Sequence, residues 1–491
     1  MNQSELVSYI SDGVERFTPD ILQRKEDIEQ YLLDIFRSIE VLPYYKLLSM
    51  HIETDESKLG YKEDDKGNKK RISNIIEIQP SRINEVTFTY KVNYKDEEEI
   101  VTRSFAIPKI INECFFDLKG SIYFPIYQIA DRGTSTSKGF YSIKTLLMPI
   151  RMSHKQTTLT NINGETFNAT DFRLHLFKRK LPYLCYYITK MGLEEAIKYF
   201  GLEWGEDLDY FQLSTKDIAS HISIKAKLEE YLDTCYFFNI NKNSGILIDK
   251  TKCITKNDFN LVQAIISYFK FMKTDDSLSQ EEINYNFGSI FTKNNIEDKA
   301  KDVLFSFERL LDESSKKILV DISDEDKQDI YALIRWMVSR FEQDRFKDSM
   351  SLDNRRLQCW EYLLNPLLLA LSQGAYRIIN SRSLNMKTLC SIFNFSYMFL
   401  IKKIVMNEFV RYSNCTNNLD IFGTLKATFK GAATLSSSDS SGAGSKNRTI
   451  HPSFIGNISL VTTSAADPGV TATIVPFAKI ENNIFIDRFR N

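Results

Sequence analysis

Strand text and helix text are kept apart along this chain, and that separation limits what it can build. From about residue 75 to 150, short segments alternate apolar and polar positions and are rich in β-branched and aromatic residues: EVTFTYKVNY, IVTRSFAI and SIYFPIYQIA. A period of two marks half-buried strands. DRGTSTSKG (131–139) reads as a turn, and SIKTLLMPIRM as a further strand ending near Arg151. Helical spacing flanks this block. Ile21, Ile28, Leu32, Ile35 and Phe36 predict a helix within 20–50, broken by LPYY. Residues 172–350 read as mainly helical. Val303, Leu304, Phe307, Leu310 and Leu311 share one face, and Ile330, Leu333, Ile334, Met337 and Phe341 share another. Ser323 is placed to cap the second of these, behind the acids of ISDEDKQD. Helical text resumes from 355 to about 411, with the paired arginines of DNRRLQCW opening a helix, and short strands follow in ISLVTTSA, ATIVPFAKI and NIFIDRF. Blocks of strands and blocks of helices predict an α+β fold.

One stretch fits neither text: LSSSDSSGAGSKNRTIHPSFIG, 435–456, in a chain with only 19 glycines among 491 residues. A Ser/Gly run has too little apolar surface to offset its ordering entropy. It is a linker or a loop that meets something, and the few dozen residues after it are short for a separate domain. DESKLGYKEDDKGNKKRIS (54–72) is charged, lacks apolar periodicity, and reads as a mobile surface loop.

Lys+Arg (63) and Asp+Glu (64) nearly cancel, so any polyanion site must come from local segregation of charge. The seven cysteines, at 114, 185, 235, 253, 359, 390 and 415, are odd in number and lack Cys-x-x-Cys spacing, which argues against a zinc site or a disulfide framework. Reduced thiols in a cytosol-like compartment are expected. The N-terminus does not read as a signal peptide, and apolar runs such as LLNPLLLAL fall far short of a bilayer span of ~20 residues.

Motifs for independent catalysis are absent: no P-loop, G-x-G-x-x-G, H-E-x-x-H or G-x-S-x-G. The five histidines (51, 154, 175, 221 and 451) sit at no metal-ligand spacing. Basic segments stand out instead: LFKRKLPYL (176–184), DNRRLQCW (353–360), and 402–448, where seven Lys/Arg face three acids among amides and serines. Such mixtures suit phosphate contacts, with cations for charge and amides and hydroxyls for hydrogen bonds.

These segments also carry a family resemblance. SLDNRRLQCWEYLLNPLLLALSQGAYRII resembles the stretch around the Gly-Asn-Arg-Arg-Ile motif of the second-largest (β) subunit of multisubunit DNA-dependent RNA polymerases. NRTIHPSFIGNISLV resembles that family's Arg-Asp-Val-His-Pro-Thr-His-Tyr-Gly-Arg signature, with Arg448, His451, Pro452 and Gly456 in register. FKRKLPYLCYYITKMGLEEAIKYFG resembles the Arg-Arg-Lys-Leu-Pro segment of the lobe, Asn417-Asn418-Leu419 the turn before the fork, and MPIRM (148–152) the Ile-Pro-Tyr-Arg-Gly strand. The matches fall in family order from about residue 110 onward.

The resemblance implies a protrusion (mixed sheet with helices), a mainly helical lobe and a β-rich fork region with a long mobile loop, whose place the Ser/Gly stretch occupies. It divides the chain into 1–150, the first part of the protrusion; 151–350, the lobe; 351–412, the end of the lobe and a helical return into the protrusion; and 413–491, the fork region and the start of the active-centre-facing β domain. It implies no catalytic residue and no cofactor on this chain, with Mg²⁺ on a partner largest subunit. Arg151, Arg355 and Arg356 are expected near single-stranded non-template DNA, and Lys426, Lys430, Lys446 and Arg448 near the bubble. His451, Pro452 and Gly456 are expected to form the structural turn at the fork. The implied partners are DNA and RNA, a separate chain with the C-terminal half of β, largest-subunit (β′) chains, themselves whole or split, and a promoter-specificity subunit. No membrane partner is implied.

Departures are plain. Few cations remain in the fork loop, Phe454 replaces the second His of the signature, and a later Pro-Glu-Gly-Pro-Asn element is reduced to SAADPGVT. The resemblance stops at PFAKIENNIFIDRFRN, as in the divided β subunits of large bacteriophages, so the expected location is the infected bacterial cytoplasm or the virion. The alternative is a nucleic-acid-binding or virion-structural protein that kept the β fold without transcription.

Overall fold

The computed structural model describes residues 25–54, 61–63, 69–71, 83–95, 97–111, 115–118, 120–131, 133–137, 140–205, 208–212, 231, 233–240, 244–273, 279–319, 322–341, 351–381, 384–407, 409–413, 426–429, 450–461, 471–475, 478, 480–481 and 484–485. Within them, α1 (Lys25–Arg37) buries Ile28, Leu32, Ile35 and Phe36, as the helical spacing requires. It ends earlier than the spacing predicts. A 3-10 turn at Ser38–Val41 leads into β1 (Tyr45–Glu53), because that backbone is claimed by antiparallel pairing with the next strand.

The alternating text becomes β2 (Ile83–Tyr94) and β3 (Glu97–Pro108), giving a three-stranded sheet ordered β1-β2-β3. Its inner face is aromatic. Phe36 of α1 stacks on Phe88 with centroids 4.5 Å apart, and the Tyr90 hydroxyl donates to the Phe36 carbonyl at 2.5 Å. A late segment closes over the same face: Phe393 stacks on Tyr90 at 4.4 Å, and the Tyr397 hydroxyl donates to Glu85 at 2.9 Å. Of the charged stretch 54–72, residues Tyr61–Glu63 and Lys69–Arg71 pair as an antiparallel ribbon where a loop is expected, and most of the rest lies outside the described residues.

β4 (Ser121–Pro125) and β5 (Tyr127–Asp131) feed two different four-stranded sheets. β4 pairs with Val410–Tyr412, and β5 lies between Arg355–Gln358 and Lys426–Phe429, the latter running parallel to it. A five-stranded meander comes next: β6 (Thr134–Ser137), β7 (Phe140–Ile143), β8 (Ile150–Thr160), β9 (Thr166–Leu176) and β10 (Arg179–Pro182). Two expectations are corrected here. Thr134–Ser137 is a strand within the predicted turn, because it pairs with β7, and a strand begins rather than ends near Arg151.

After β10 the chain turns helical with α2 (Leu184–Met191) and α3 (Lys256–Met272). Thr255 and Asp258 form a capping box that starts α3. α3 packs on β9, with Phe259 stacked on Phe167 at 4.5 Å and Asn260 accepting from the Thr170 amide at 2.6 Å. Residues 172–350 are less helical than their text predicts. A second antiparallel sheet, Leu208–Gln212, Ser244–Asp249 and Cys235–Asn239, lies between α2 and α3 in the chain. Short continuous apolar runs such as SGILID have no period that separates strand from helix.

α4 (Ile296–Glu308) and α5 (Ile330–Arg340) join α2 through rings: Tyr186 stacks on Phe307 at 4.3 Å, and the Tyr187 hydroxyl donates to the Tyr331 carbonyl at 2.6 Å. Ser323 does cap, but it caps the short helix Asp324–Gln328; Asp329 then caps α5 separately. The paired arginines open a strand, β11 (Arg355–Gln358), not a helix, because Arg355 to Gln358 pair with Asp131 to Gln128 of β5. The helix Trp360–Leu363 and then α6 (Asn365–Ile379) come after it.

Candidate nucleic-acid interface

Segments that are distant in sequence line one cleft of ≈ 1020 Å³. One wall is a cross-strand row. The register sets Ser142 of β7 opposite Arg151 of β8, Arg151 opposite His175 of β9, and His175 opposite Lys180 of β10. All four line the cleft. Alternation puts them there. In Ile150-Arg151-Met152, Leu174-His175-Leu176 and Lys180-Leu181 the apolar residues are buried on the far face, leaving the polar ones on the cleft side.

The β9–β10 hairpin adds Lys178 and Arg179 to Lys180, all three exposed. α6 forms the opposite wall, and the Lys178 ammonium lies 5.5 Å from the centroid of the Tyr376 ring on that helix, a cation–π contact across the cleft. The floor is β11 together with Glu361 and Tyr362 of the short helix behind it. Successive strand residues point oppositely, so Arg356 and Gln358 face the cleft while Arg355 does not.

The cleft is strongly positive. Lys144, Arg151, Lys178, Arg179, Lys180 and Arg356 line it against a single carboxylate among the described residues, Glu361. Arg356 Nη1 lies 2.7 and 2.9 Å from the two Glu361 oxygens, so that pair cancels and the remainder is cationic. Burial lowers the His175 pKa from its ordinary value, with Lys180 and Arg151 lowering it further, so the imidazole stays neutral at neutral pH. Its Nε2 sits 2.9 Å from Ser153 Oγ, and Phe140 meets it edge-on at 5.1 Å. Burial also raises the Tyr376 pKa, with Arg151 opposing the shift. Cations, neutral hydrogen-bonding groups and half-open rings together match a phosphodiester strand with bases to stack.

The residues singled out by sequence separate. Arg151 and Arg356 are brought together in the cleft. Arg355 turns away, buried, with Nη1 2.6 Å from Asp131 of β5. Lys426 is exposed on its strand, paired in register with Thr473, and does not line the cleft. Lys430, Lys446 and Arg448 lie outside the described residues. At Pro452–Phe454 a 3-10 turn is capped by His451, whose Nδ1 accepts from the Ser453 amide at 3.2 Å. Gly456 takes φ +78°, and Ser453 Oγ accepts from the Leu352 amide at 2.9 Å, which ties this turn to the start of β11. Among the described residues, no group of three or more His, Cys, Asp or Glu could hold a metal ion, and no helix is long and apolar enough to cross a membrane.

A family model described as "Non-virion RNA polymerase subunit" matches residues 5–486. The chain belongs to this family. It is thus an RNA polymerase subunit by family, and the description gives no support to a virion location. No curated protein matches the chain. His175, Phe140 and Tyr376 also line the cleft, and the sequence does not single them out as site residues. KRK followed by Pro at 178–182 was a visible signal for the hairpin cations, whereas nothing near Tyr376 distinguishes it from an ordinary helix residue.

Proposed function

We propose that this chain is the N-terminal portion of the β-like component of a divided, phage-type multisubunit DNA-directed RNA polymerase, forming one wall of its DNA channel. The observation that carries the reading is convergence. MPIRM, FKRKLP and DNRR, three segments that carry the family resemblance, line the same cationic cleft although about 200 residues separate the first from the last. The 386–405 helices packed on β2 and β3 agree with a return into a protrusion.

In this reading the cleft holds the displaced non-template strand. Arg151 and the Lys178–Lys180 hairpin meet phosphates, Tyr376 and Phe140 offer ring faces and edges to unstacked bases, and Arg356, held by Glu361, shapes the floor. Arg355 braces β11 on β5 instead of touching DNA. Lys426, Lys430, Lys446 and Arg448 serve the bubble edge, with His451, Pro452 and Gly456 as the turn at its base. Nucleotide addition belongs to a Mg²⁺-binding carboxylate cluster on a largest-subunit partner, and this chain contributes binding and orientation.

The test is an affinity-tagged chain expressed in infected host cells. Co-purification with a largest-subunit homologue and a chain resembling the C-terminal half of β, with extension of RNA on a pre-melted template, is expected. Non-template crosslinks to Arg151 or Lys178 positions should accompany it. A chain that purifies alone from cells making phage transcripts refutes the proposal.

A further inference from the structure

The β9–β10 hairpin has an unusual tip. Register pairs Leu176 with Arg179 and leaves only Phe177 and Lys178 to turn the chain. Their φ values are +51° and +60°. Two consecutive left-handed residues make the tight hairpin turn that strongly prefers Asn-Gly, because L side chains clash there. Five non-glycine residues take positive φ among the described residues, and these two alone are adjacent. A phenylalanine in this conformation is an outlier that calls for a cause.

The cause lies in where the side chains go. Phe177 is fully buried in the main apolar core, while Lys178, Arg179 and Lys180, next along the chain, stand exposed in the cleft. An Asn-Gly tip would turn the chain without strain, but it would surrender both the buried anchor and the first cation. We infer that Phe177 is a positioning residue of the cleft: its buried ring pins the hairpin tip so that Lys178, Arg179 and Lys180 meet a single nucleic-acid strand as a fixed set. This rests on the reading of the cleft as a single-strand site. Lys178, set over Tyr376, marks the reach of the tip toward the opposite wall.

The test uses the full chain and a fluorescein-labelled oligothymidylate, with anisotropy titrations over a range of salt. Phe177→Asn removes the anchor and favours the turn. A single glycine inserted between Lys178 and Arg179 keeps the ring buried and loosens the tip. Both retain every cation. Melting curves establish that each is folded, and the insertion carries the test if Phe177→Asn does not fold. The expected result is that the slope of log K against log salt becomes shallower by about 1 or more, as each lost phosphate contact removes ~0.7 of its magnitude. Phe177→Leu, which still buries an apolar side chain, should restore wild-type slope and affinity. A folded insertion variant with wild-type slope and affinity overturns the positioning role. The triple variant K178A/R179A/K180A separates the two claims. If it too binds as wild type, the cleft reading fails; if it loses binding while the insertion does not, only the positioning role fails.

Discussion

Replacing Glu361 by glutamine should strengthen single-strand binding and make it more sensitive to salt. The carboxylate is the one acid beside six cations among the described cleft residues, and it holds Arg356 at 2.7 Å. In the native chain Arg151, Lys178, Arg179 and Lys180 are the exposed cations available to phosphate. At ~0.7 per contact on a single strand, four contacts give a log–log slope of about −2.8. Raising salt from 50 to 200 mM should then weaken binding ~50-fold. Glu361→Gln keeps the side chain's shape and frees Arg356, so five contacts give about −3.5 and ~130-fold. Arg151→Ala leaves three, about −2.1 and ~18-fold. Anisotropy with labelled oligothymidylate at four salt concentrations separates these values. Equal slopes for all three proteins would refute the count of cations, and a shallower slope for Glu361→Gln would refute the claim that Arg356 is neutralised by its partner.

Arg356→Ala should cost about 3 kcal/mol of stability in chemical unfolding, since it strands a carboxylate that is only 23% exposed; pairing it with Glu361→Ala should recover much of the loss, and strictly additive costs would contradict a coupled pair. Gly288→Ala should destabilise the α4 side of the helical region by at least ~1–3 kcal/mol, because the new Cβ would sit 2.1 Å from the Ile296 carbonyl oxygen, a backbone atom that cannot yield; an unchanged melting curve would count against that packing. Burial raises the Asp302 pKa, against a hydrogen bond from the Tyr44 hydroxyl and the nearby Lys299 ammonium. The folded state therefore binds this proton more readily than the unfolded chain, and stability lost to the buried charge at neutral pH returns as pH falls toward the carboxylate range. Asp302→Asn should lack that gain, so the wild type should improve relative to it as pH falls from neutral into the ordinary carboxylate range; a constant difference down to pH ~4 would refute the assignment.

The long antiparallel pair β2–β3 is legible in the sequence because one face is buried and the other is not, which imprints a period of two. α1 is legible for the matching reason at a period near 3.6. What is not legible is whatever long-range pairing decides. Thr134–Ser137 has turn composition and becomes a strand because β7 lies beside it. Arg355-Arg356 come after a cap-like Asp353-Asn354 and become strand because β5, more than 200 residues earlier, pairs with them. The site shows the same division. The cations of 178–180 and Arg151 stand out by charge, but that His175 falls between Arg151 and Lys180 is a fact of register, which three strands must meet to define. Arg355 and Arg356 look equivalent as letters; strand alternation alone sends one to Asp131 and the other to the cleft.

The sheet that holds the cleft floor draws its strands from Tyr127–Asp131, Arg355–Gln358, Lys426–Phe429 and Thr471–Thr473. On a ribosome adding ~5–20 residues per second, the interval between the first and the last of these is roughly 17–70 s. The first strand waits with an open edge until Lys426–Phe429 is made, roughly 15–60 s after it. Synthesis of this subunit thus exposes a long-lived sticky edge, open to pairing with other chains until its own neighbours arrive.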